Sequence, residues 1–576
     1  MWTFLFGATM LALACAACAG GWNVVESGAK GDGVTDDTAV FQKALDEAGK
    51  AGGGVVDVPA GRYRIDGNLV IPGAVTLQGV FRTPPTAGDK MEDLDGSVLY
   101  AYAGRGSEEG EPFIRLGGNA AVVSGLVIAY PEWKRSDVPP VPYPACIASE
   151  NTEDVSVLNC LLLNPYEGIK LVRAHRHIVR NVFGYPIKRG IYVDQCYDIG
   201  RIENIHYWPF GVTYRPNDPY SKWINTEGVA FEFARTDWQY VTNTFCFGYG
   251  VGYKFSETES GSCNGNFLGI GADSCERAVL VEQSQAPGLL ITNGEFVGRW
   301  GSTDAVCLEI TEKNRGKVSL SNCSFWGPID RCVVMKSPAG QFSALGCNFV
   351  DWDTTGSESP AIQIDAGKAI VQGCTFGNGT LHVRVGENVR SAIIMGNQAS
   401  DGLVVDNKAG KRTQILGNEM NPVEWTEEAR ANYRILIGQP GDQRYVKKWY
   451  GRETTHRWSR PESLLVLPVL PDKEYSLSVD VFVPPTARSP EAGLYLGDKR
   501  IAELPKGDSG ALRATLPPSN SGSVSLSIRV KGWVPREVEP GSSDDRVLGI
   551  QIHSVTMQAK GAKGKVFDGN SGEWVE

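Results

Sequence analysis

Short apolar runs recur along most of the chain, and their spacing is the first structural signal. From about Val55 to Asn418 an apolar run ends at an Asn or Gly landmark, and a second short apolar run follows. The landmarks are Asn159, Asn181, Asn204, Asn243, Asn266, Asn293, Asn322, Gly346, Gly373, Asn397 and Asn418. Most separations fall between 21 and 29 residues, the length of one coil of a β-solenoid. Asn204 to Asn243, at 39 residues, leaves room for an inserted loop. Asparagine suits a repeated tight turn because it tolerates the left-handed conformation and can hydrogen-bond its counterpart one coil away. Cys323, Cys347 and Cys374 follow landmarks directly and are read as small buried residues stacked in the same way. Ahead of the coils, Val40, Phe41, Ala44, Leu45 and Ala48 recur at the spacing of one helical face. Asp36 or Asp37 stands where a side-chain acceptor would cap that helix, so the cluster Asp32, Asp36 and Asp37 is read as structural rather than as a calcium loop.

After Asn418 the pattern changes. "NPVEWTEEARANYR" is polar and helix-compatible, and "GQPGDQ" reads as a linker. From Tyr445 alternating strands such as "YSLSVDVFVP" and "SVSLSIRV" predict an antiparallel β-sandwich. Trp449, Trp458 and Trp533 are read as sandwich core. The predicted organisation is a signal at 1–19, a parallel β-helix over 20–425, a linker over 426–443 and a β-sandwich accessory domain over 444–576.

Composition narrows the partners. With 576 residues the chain exceeds one ordinary core. Its 56 basic and 66 acidic side chains give a net charge of -10, which argues against nucleic acid and leaves a polyanion to a local basic patch. Met1 to Ala19 is apolar, short for a membrane span and ends in Ala17-Cys18-Ala19, so export is expected: secreted, periplasmic or outer-surface, with lipid anchoring through Cys15 or Cys18 as a variant and no integral membrane span. Eleven cysteines remain beyond that segment, with no CxxC spacing, and no metal site is assigned.

"GDGVTDDT" at Gly31 to Thr38, the helix after it, "GGGVVDVPAGRYRI" and "VTLQG" at Val75 to Gly79 resemble the opening of the pectate-lyase-like superfamily, which includes rhamnogalacturonases and uronate epimerases. The resemblance implies an all-β, right-handed parallel β-helix closed at its N-terminal end by a helix. It implies no catalytic residues. The signatures of polygalacturonases are absent, since the comparable strand starts read "YEGIKL", "IKRGIYV" and "ERAVLV".

Chemistry is sought where strands face a groove. Aligning strands by a leading small residue, at Gly168, Gly190, Gly228, Gly250, Ala278 and Ala305, places Asp194, Glu232 and Lys254 on one outward row of adjacent coils, with Ala230 and Gly252 as a floor. Asp194 and Glu232, about 4.8 Å apart along the stack, are then the candidate catalytic carboxylates of a glycosidase. Lys170, Arg189, Tyr192 and Lys254 are candidate substrate-binding residues, and Trp208 and Trp223 of the inserted loop are candidate stacking faces. A second pattern, the basic density of Lys170, Arg173, His175, Arg176, His177, Arg180, Lys188, Arg189 and Arg201, suits a uronate and points to a polysaccharide lyase or epimerase with Lys170 or Tyr192 moving the proton. The reading is thus a glycan-cleaving enzyme, first as a glycoside hydrolase with a carboxylate pair. The alternatives are a lyase or epimerase on a uronate glycan, or a noncatalytic glycan-binding or adhesion protein. The partner is a polysaccharide. No cofactor is expected, calcium being the one candidate if the reaction is a lyase's.

Overall fold

The computed structural model describes residues 21–81, 94–210, 215, 218–327, 329–377, 381–399, 402–421, 423–542 and 544–575. The expected export signal at 1–19 and Tyr214 of the inserted loop lie outside the described residues. Among the described residues no helix is long and apolar enough to cross a membrane. The chain packs into two compact units, residues 1–187 with 209–214 and residues 188–208 with 215–576.

The first unit opens with helix Thr38–Lys50, which buries Phe41, Ala44, Leu45 and Ala48, the face its periodicity predicts. Phe41 meets the Tyr63 ring edge-on at 5.2 Å. Gln42 accepts from the Val70 amide at 2.8 Å and donates to the Val70 carbonyl at 3.1 Å, so the helix satisfies peptide groups that an open strand edge would leave exposed. The neighbouring aspartates also build the fold, but differently from the expectation. Asp37 occupies the cap position and makes no cap hydrogen bond. Its buried carboxylate instead accepts from the amides of Lys30 and Gly31 at 2.8 and 3.1 Å. Asp36 accepts from the Thr38 amide at 3.0 Å and from the Asp66 amide at 3.2 Å. Parallel strands then stack coil on coil, as in Ala145–Glu153 on Glu167–His175 and Ser156–Leu163 on Ile178–Gly184.

The second unit is also built of parallel coils. One row of strands is Arg189–Asp194, Val229–Phe233, Val251–Phe255, Arg277–Val281 and Val306–Ile310, each paired with the next. Another is Arg201–Tyr207, Phe245–Phe247, Gly271–Cys275, Glu295–Gly298 and Ser324–Trp326. Their inward side chains stack, Tyr207 on Phe231 at 5.3 Å and Phe231 on Tyr253 at 4.7 Å. Each such pair contributes about 0.5–1.5 kcal/mol beyond its buried area. A third row, Gln239–Thr242, Cys263–Leu268, Ser284–Thr292 and Lys317–Ser321, leads into the second through left-handed turns at Asn243, Gly269, Asn293 and Asn322, with Asn204 at the equivalent bend inside Arg201–Tyr207 and Gly346, Gly373, Gly396 and Gly417 at the later coils. Three landmarks therefore move: Gly269 rather than Asn266, and the glycines just before Asn397 and Asn418. The asparagine bridges are real, for example Asn322 donating to Asn293 at 2.8 Å. All eleven described cysteines are buried, and none is in a disulfide.

The inserted stretch holds helix Pro219–Glu227, capped by Asp218, which accepts from Ser221 at 3.2 Å. From Asn432 pairing turns mainly antiparallel. Strands such as Arg457–Pro468, Tyr475–Phe482, Ser523–Arg529 and Gln551–Ala559 form a β-sandwich around Tyr433, Leu465, Val479, Leu526 and Met557. Trp449 and Trp533 lie in that core with their indole N–H groups bonded to backbone carbonyls, and Trp458 packs against it.

Candidate functional site

The strand row starting at Arg189–Asp194 has an uneven pleat that sets the site. Its second residues, Gly190, Ala230, Gly252, Ala278 and Cys307, turn inward together with the third, while the first and fourth face out. A Cβ on Gly190 would sit 2.5 Å from the Tyr207 ring, and one on Gly252 would sit 2.8 Å from Ala272, so these positions stay small because they close the interior. Ala230 and Gly252 therefore do not form an outward floor. The register also differs from the sequence alignment: Tyr192, not Asp194, lies opposite Glu232, and Glu232 lies opposite Lys254. Leu280 and Glu309 extend the same outward row. Asp194 is two residues further along its strand, which puts its Cα roughly 8 Å diagonally from that of Glu232 rather than one coil away.

What this brings together is a cluster centred on Tyr192. The Arg189 guanidinium lies 4.2 Å from the centre of the Tyr192 ring and ion-pairs with Glu232 at 3.2 Å. Lys254 reaches the other Glu232 oxygen at 3.3 Å and Glu282 at 3.5 Å. The Tyr192 hydroxyl donates to Asp194 at 3.3 Å. The other Asp194 oxygen accepts from the Arg235 amide at 3.0 Å and the Thr258 hydroxyl at 3.3 Å. Asp194 and Glu232 are buried, at 6% and 9% exposure, while Tyr192 is partly open. Burial, then the Asp194 and Glu232 carboxylates, push the Tyr192 phenol far above its ordinary value, against the opposing charge of Arg189. The hydroxyl is therefore a proton donor through the neutral range.

The fold supplies its own comparison three coils along the stack. There Arg277 ion-pairs with Glu309, which Lys336 reaches at 2.6 Å, and Leu280 stands in the row where Tyr192 stands. Burial pushes Glu309 upward, but Lys336 and Arg277 outweigh it and hold the carboxylate below its ordinary value. An outward Glu between two cations is thus a recurring device of the stack. Tyr192 with Asp194 is what sets the first occurrence apart.

The other predicted residues lie elsewhere. Trp208 follows strand Arg201–Tyr207 and packs on Phe247, ring centres 4.5 Å apart, on a different row from Tyr192. Trp223 lies on helix Pro219–Glu227, with the Lys188 ammonium 5.5 Å from its ring centre. Lys170 belongs to the first unit, exposed on Glu167–His175 and opposite Ala148. The basic density there is largely matched by acids: Arg173 pairs with Glu150, and Arg176 with Glu153 at 2.7 Å and Asp154 at 2.8 Å. His177 is buried with Nδ1 on the Ala174 carbonyl. Thr258 and the Arg235 amide were not foreseen, and no local motif marks either. Among the described residues no group of three or more His, Cys, Asp and Glu side chains is placed to hold a metal.

Residues 21–115 match the family described as rhamnogalacturonase A/epimerase, pectate lyase-like. The match covers 95 of the 576 residues, at the N-terminal end of the parallel coils. The matched stretch ends well before Arg189, so the match assigns no role to the Tyr192 cluster. Among curated relatives, the mannuronan C5-epimerase AlgE5 of Azotobacter vinelandii is 40% identical over 116 residues, which is 18% of this chain and 12% of that protein. Alginate lyase 7 of the same organism is 49% identical over 65 residues, 10% of this chain and 8% of that one. The chain thus spans only a small part of the curated relatives it matches. Among solved structures, the A-module of the Azotobacter vinelandii mannuronan C-5 epimerase AlgE6 is 16% identical, with a TM-score of 0.45, covering 66% of this chain and 99% of that one.

Proposed function

We propose that the protein is a carbohydrate-active enzyme that moves a proton at C5 of a uronate in a polysaccharide, the step shared by lyases and C5-epimerases. The observation that carries this reading is the Tyr192 phenol, kept protonated and hydrogen-bonded to Asp194 between two carboxylates, with Arg189 across its ring. The relatives support it, since the curated matches include mannuronan C5-epimerases and an alginate lyase.

The chemistry follows from the side chains. A C5 proton next to a carboxylate leaves only if the negative charge that develops is stabilised, and Arg189 and Lys254 are the cations at hand. A bound uronate carboxylate draws them from Glu232, which becomes the base that takes the C5 proton. Tyr192 then gives its proton either to the departing glycosidic oxygen, leaving an unsaturated sugar, or to C5 from the opposite face, inverting it. Asp194, held by Arg235 and Thr258, aims the phenol and takes no part in bond breaking.

The carboxylate pair of a glycosidase is supported less well. One member must stay protonated in an apolar setting. Each Glu232 oxygen instead faces a cation, and Asp194 accepts from a backbone amide and two hydroxyls.

The test is a panel of polymannuronate, polyguluronate, polygalacturonate and neutral glucans. Each is assayed for unsaturated uronate, for inversion at C5 by NMR and for new reducing ends. Unsaturation or inversion on a polyuronate is the expected result. Reducing ends without either would restore the hydrolase, and silence on every polymer would leave a binding protein.

A further inference from the structure

A second groove lies on the other strand row, and nothing in the Tyr192 chemistry uses it. Its outward positions read along the stack as His206, Phe245, Gly271, Glu295 and Ser324, and beside them as Phe247, Asp273, Val297 and Trp326. At one end the rings crowd together: Trp208 on Phe247 at 4.5 Å and His206 on Phe245 at 5.3 Å. At the other end the Trp326 indole N–H donates to Glu295 at 2.9 Å, which fixes that ring in place. Phe245 and Trp326 stand three coils apart, roughly 14 Å along the stack.

Between them the side chains fall away. Gly271 leaves the strand bare, and a Cβ there would sit 3.0 Å from the Phe245 ring. The result is a cavity of about 370 Å³ lined by Phe245, Ile270, Val297, Trp326 and the carboxylates of Asp273 and Glu295. Among the described residues its lining contains no Lys or Arg. Burial, then the nearby Glu295, raises the Asp273 carboxyl above its ordinary value. Burial lowers the His206 imidazole, so that ring adds no positive charge near neutrality.

Aromatic faces at both ends, a bare floor and carboxylate acceptors without a cation form a definite chemical pattern. Ring faces carry negative partial charge and attract the C–H groups of a pyranose, while its hydroxyls donate to carboxylates. A uronate would bring a negative charge against Asp273 and Glu295 with nothing to balance it. We propose that this groove is a second saccharide site, taking a short neutral oligosaccharide and separate from the site at Tyr192.

The experiment titrates the full chain with cellohexaose, xylohexaose, laminarihexaose, mannohexaose and hexamannuronate, following tryptophan fluorescence and calorimetry. Wild type is expected to bind at least one neutral hexasaccharide saturably. Trp326→Ala should weaken that binding about tenfold or more, a loss of roughly 1.4 kcal/mol. Asp273→Asn, which keeps the shape and removes the charged acceptor, should weaken it several-fold. Tyr192→Phe should leave it unchanged, and hexamannuronate should be indifferent to Trp326→Ala. The proposal is overturned if no neutral hexasaccharide saturates the protein. It is equally overturned if neutral binding survives both groove variants, or if the groove variants alter hexamannuronate binding alone. Tyr192→Phe abolishing neutral binding would place that ligand at the other site and likewise overturn it.

Discussion

Individual residues in this protein are tuned more by burial than by open charge. Asp353 is an example, since its carboxyl is pushed from 3.8 up to about 6, first by burial and also by the nearby Asp330. A carboxyl raised on folding binds its proton more tightly in the folded state. Its cost is therefore absent below pH 4, grows as pH rises through the interval from about 4 to 6, and is full above it. Asp353→Asn removes that cost and suits the left-handed backbone there, φ 56°. The variant should be more stable than wild type at pH 7, by up to about 3 kcal/mol, with the difference vanishing near pH 4. Urea unfolding at both pH values measures it, and a pH-independent difference would contradict the cause given. Asp37→Ala should act oppositely, stranding the amides of Lys30 and Gly31 and lowering stability by about 2 kcal/mol. Any turnover of the folded variant should remain, because Asp37 acts through the fold.

At the scale of elements the coil is the unit, and its two kinds of repeated residue make separate predictions. Asn293 sits at φ 55° and accepts from Asn322. Asn293→Gly loses only the side-chain bond, whereas Asn293→Val adds about 1–2 kcal/mol of backbone strain, so thermal unfolding should rank Val well below Gly. Equal midpoints would mean that the turn does not hold the conformation described. The repeated Glu separates structure from chemistry. Glu309→Gln and Glu232→Gln remove equivalent ion pairs, so both should cost stability, but only the second should reduce turnover, by about a hundredfold or more.

The coil also explains which parts of the fold the sequence could and could not reveal. Turn asparagines are legible because left-handed backbone selects few residue types, and the helix face is legible because its period is fixed. Pairing register is harder. A slip of one residue would turn every side chain over, but a slip of two keeps inward and outward faces unchanged. Aligning Gly228 with Gly190, where Ala230 belongs, therefore left Glu232 facing out and still paired it with the wrong neighbour. The inward turn of two successive residues at each strand start has no period at all, so the sequence pattern alone puts Ala230 and Gly252 on the outer floor.

At the scale of the whole molecule, two of the strand rows present different chemistry. One carries Arg189, Tyr192, Glu232 and Lys254, with cations available to a uronate. The other carries Trp208, Phe245, Asp273 and Trp326, and among the described residues no Lys or Arg lines its cavity. A net charge of -10 hides this contrast, which appears only when the coils are stacked. Trp208 illustrates the point, since its place in the inserted loop suggested a stacking face for the Tyr192 site, yet the next two strands carry it to the other row. The central claim is that Tyr192 donates the proton in a reaction at C5. The most direct measurement is proton NMR of the polyuronate that the wild type turns over, run in deuterium oxide with wild type and Tyr192→Phe. The account predicts that wild type erases the C5 proton signal, by exchange or by elimination, and that Tyr192→Phe, normally folded, forms the unsaturated or C5-inverted product at least about a hundredfold more slowly. Chain cleavage with the C5 signal intact, or near-normal formation of that product by Tyr192→Phe, would contradict it.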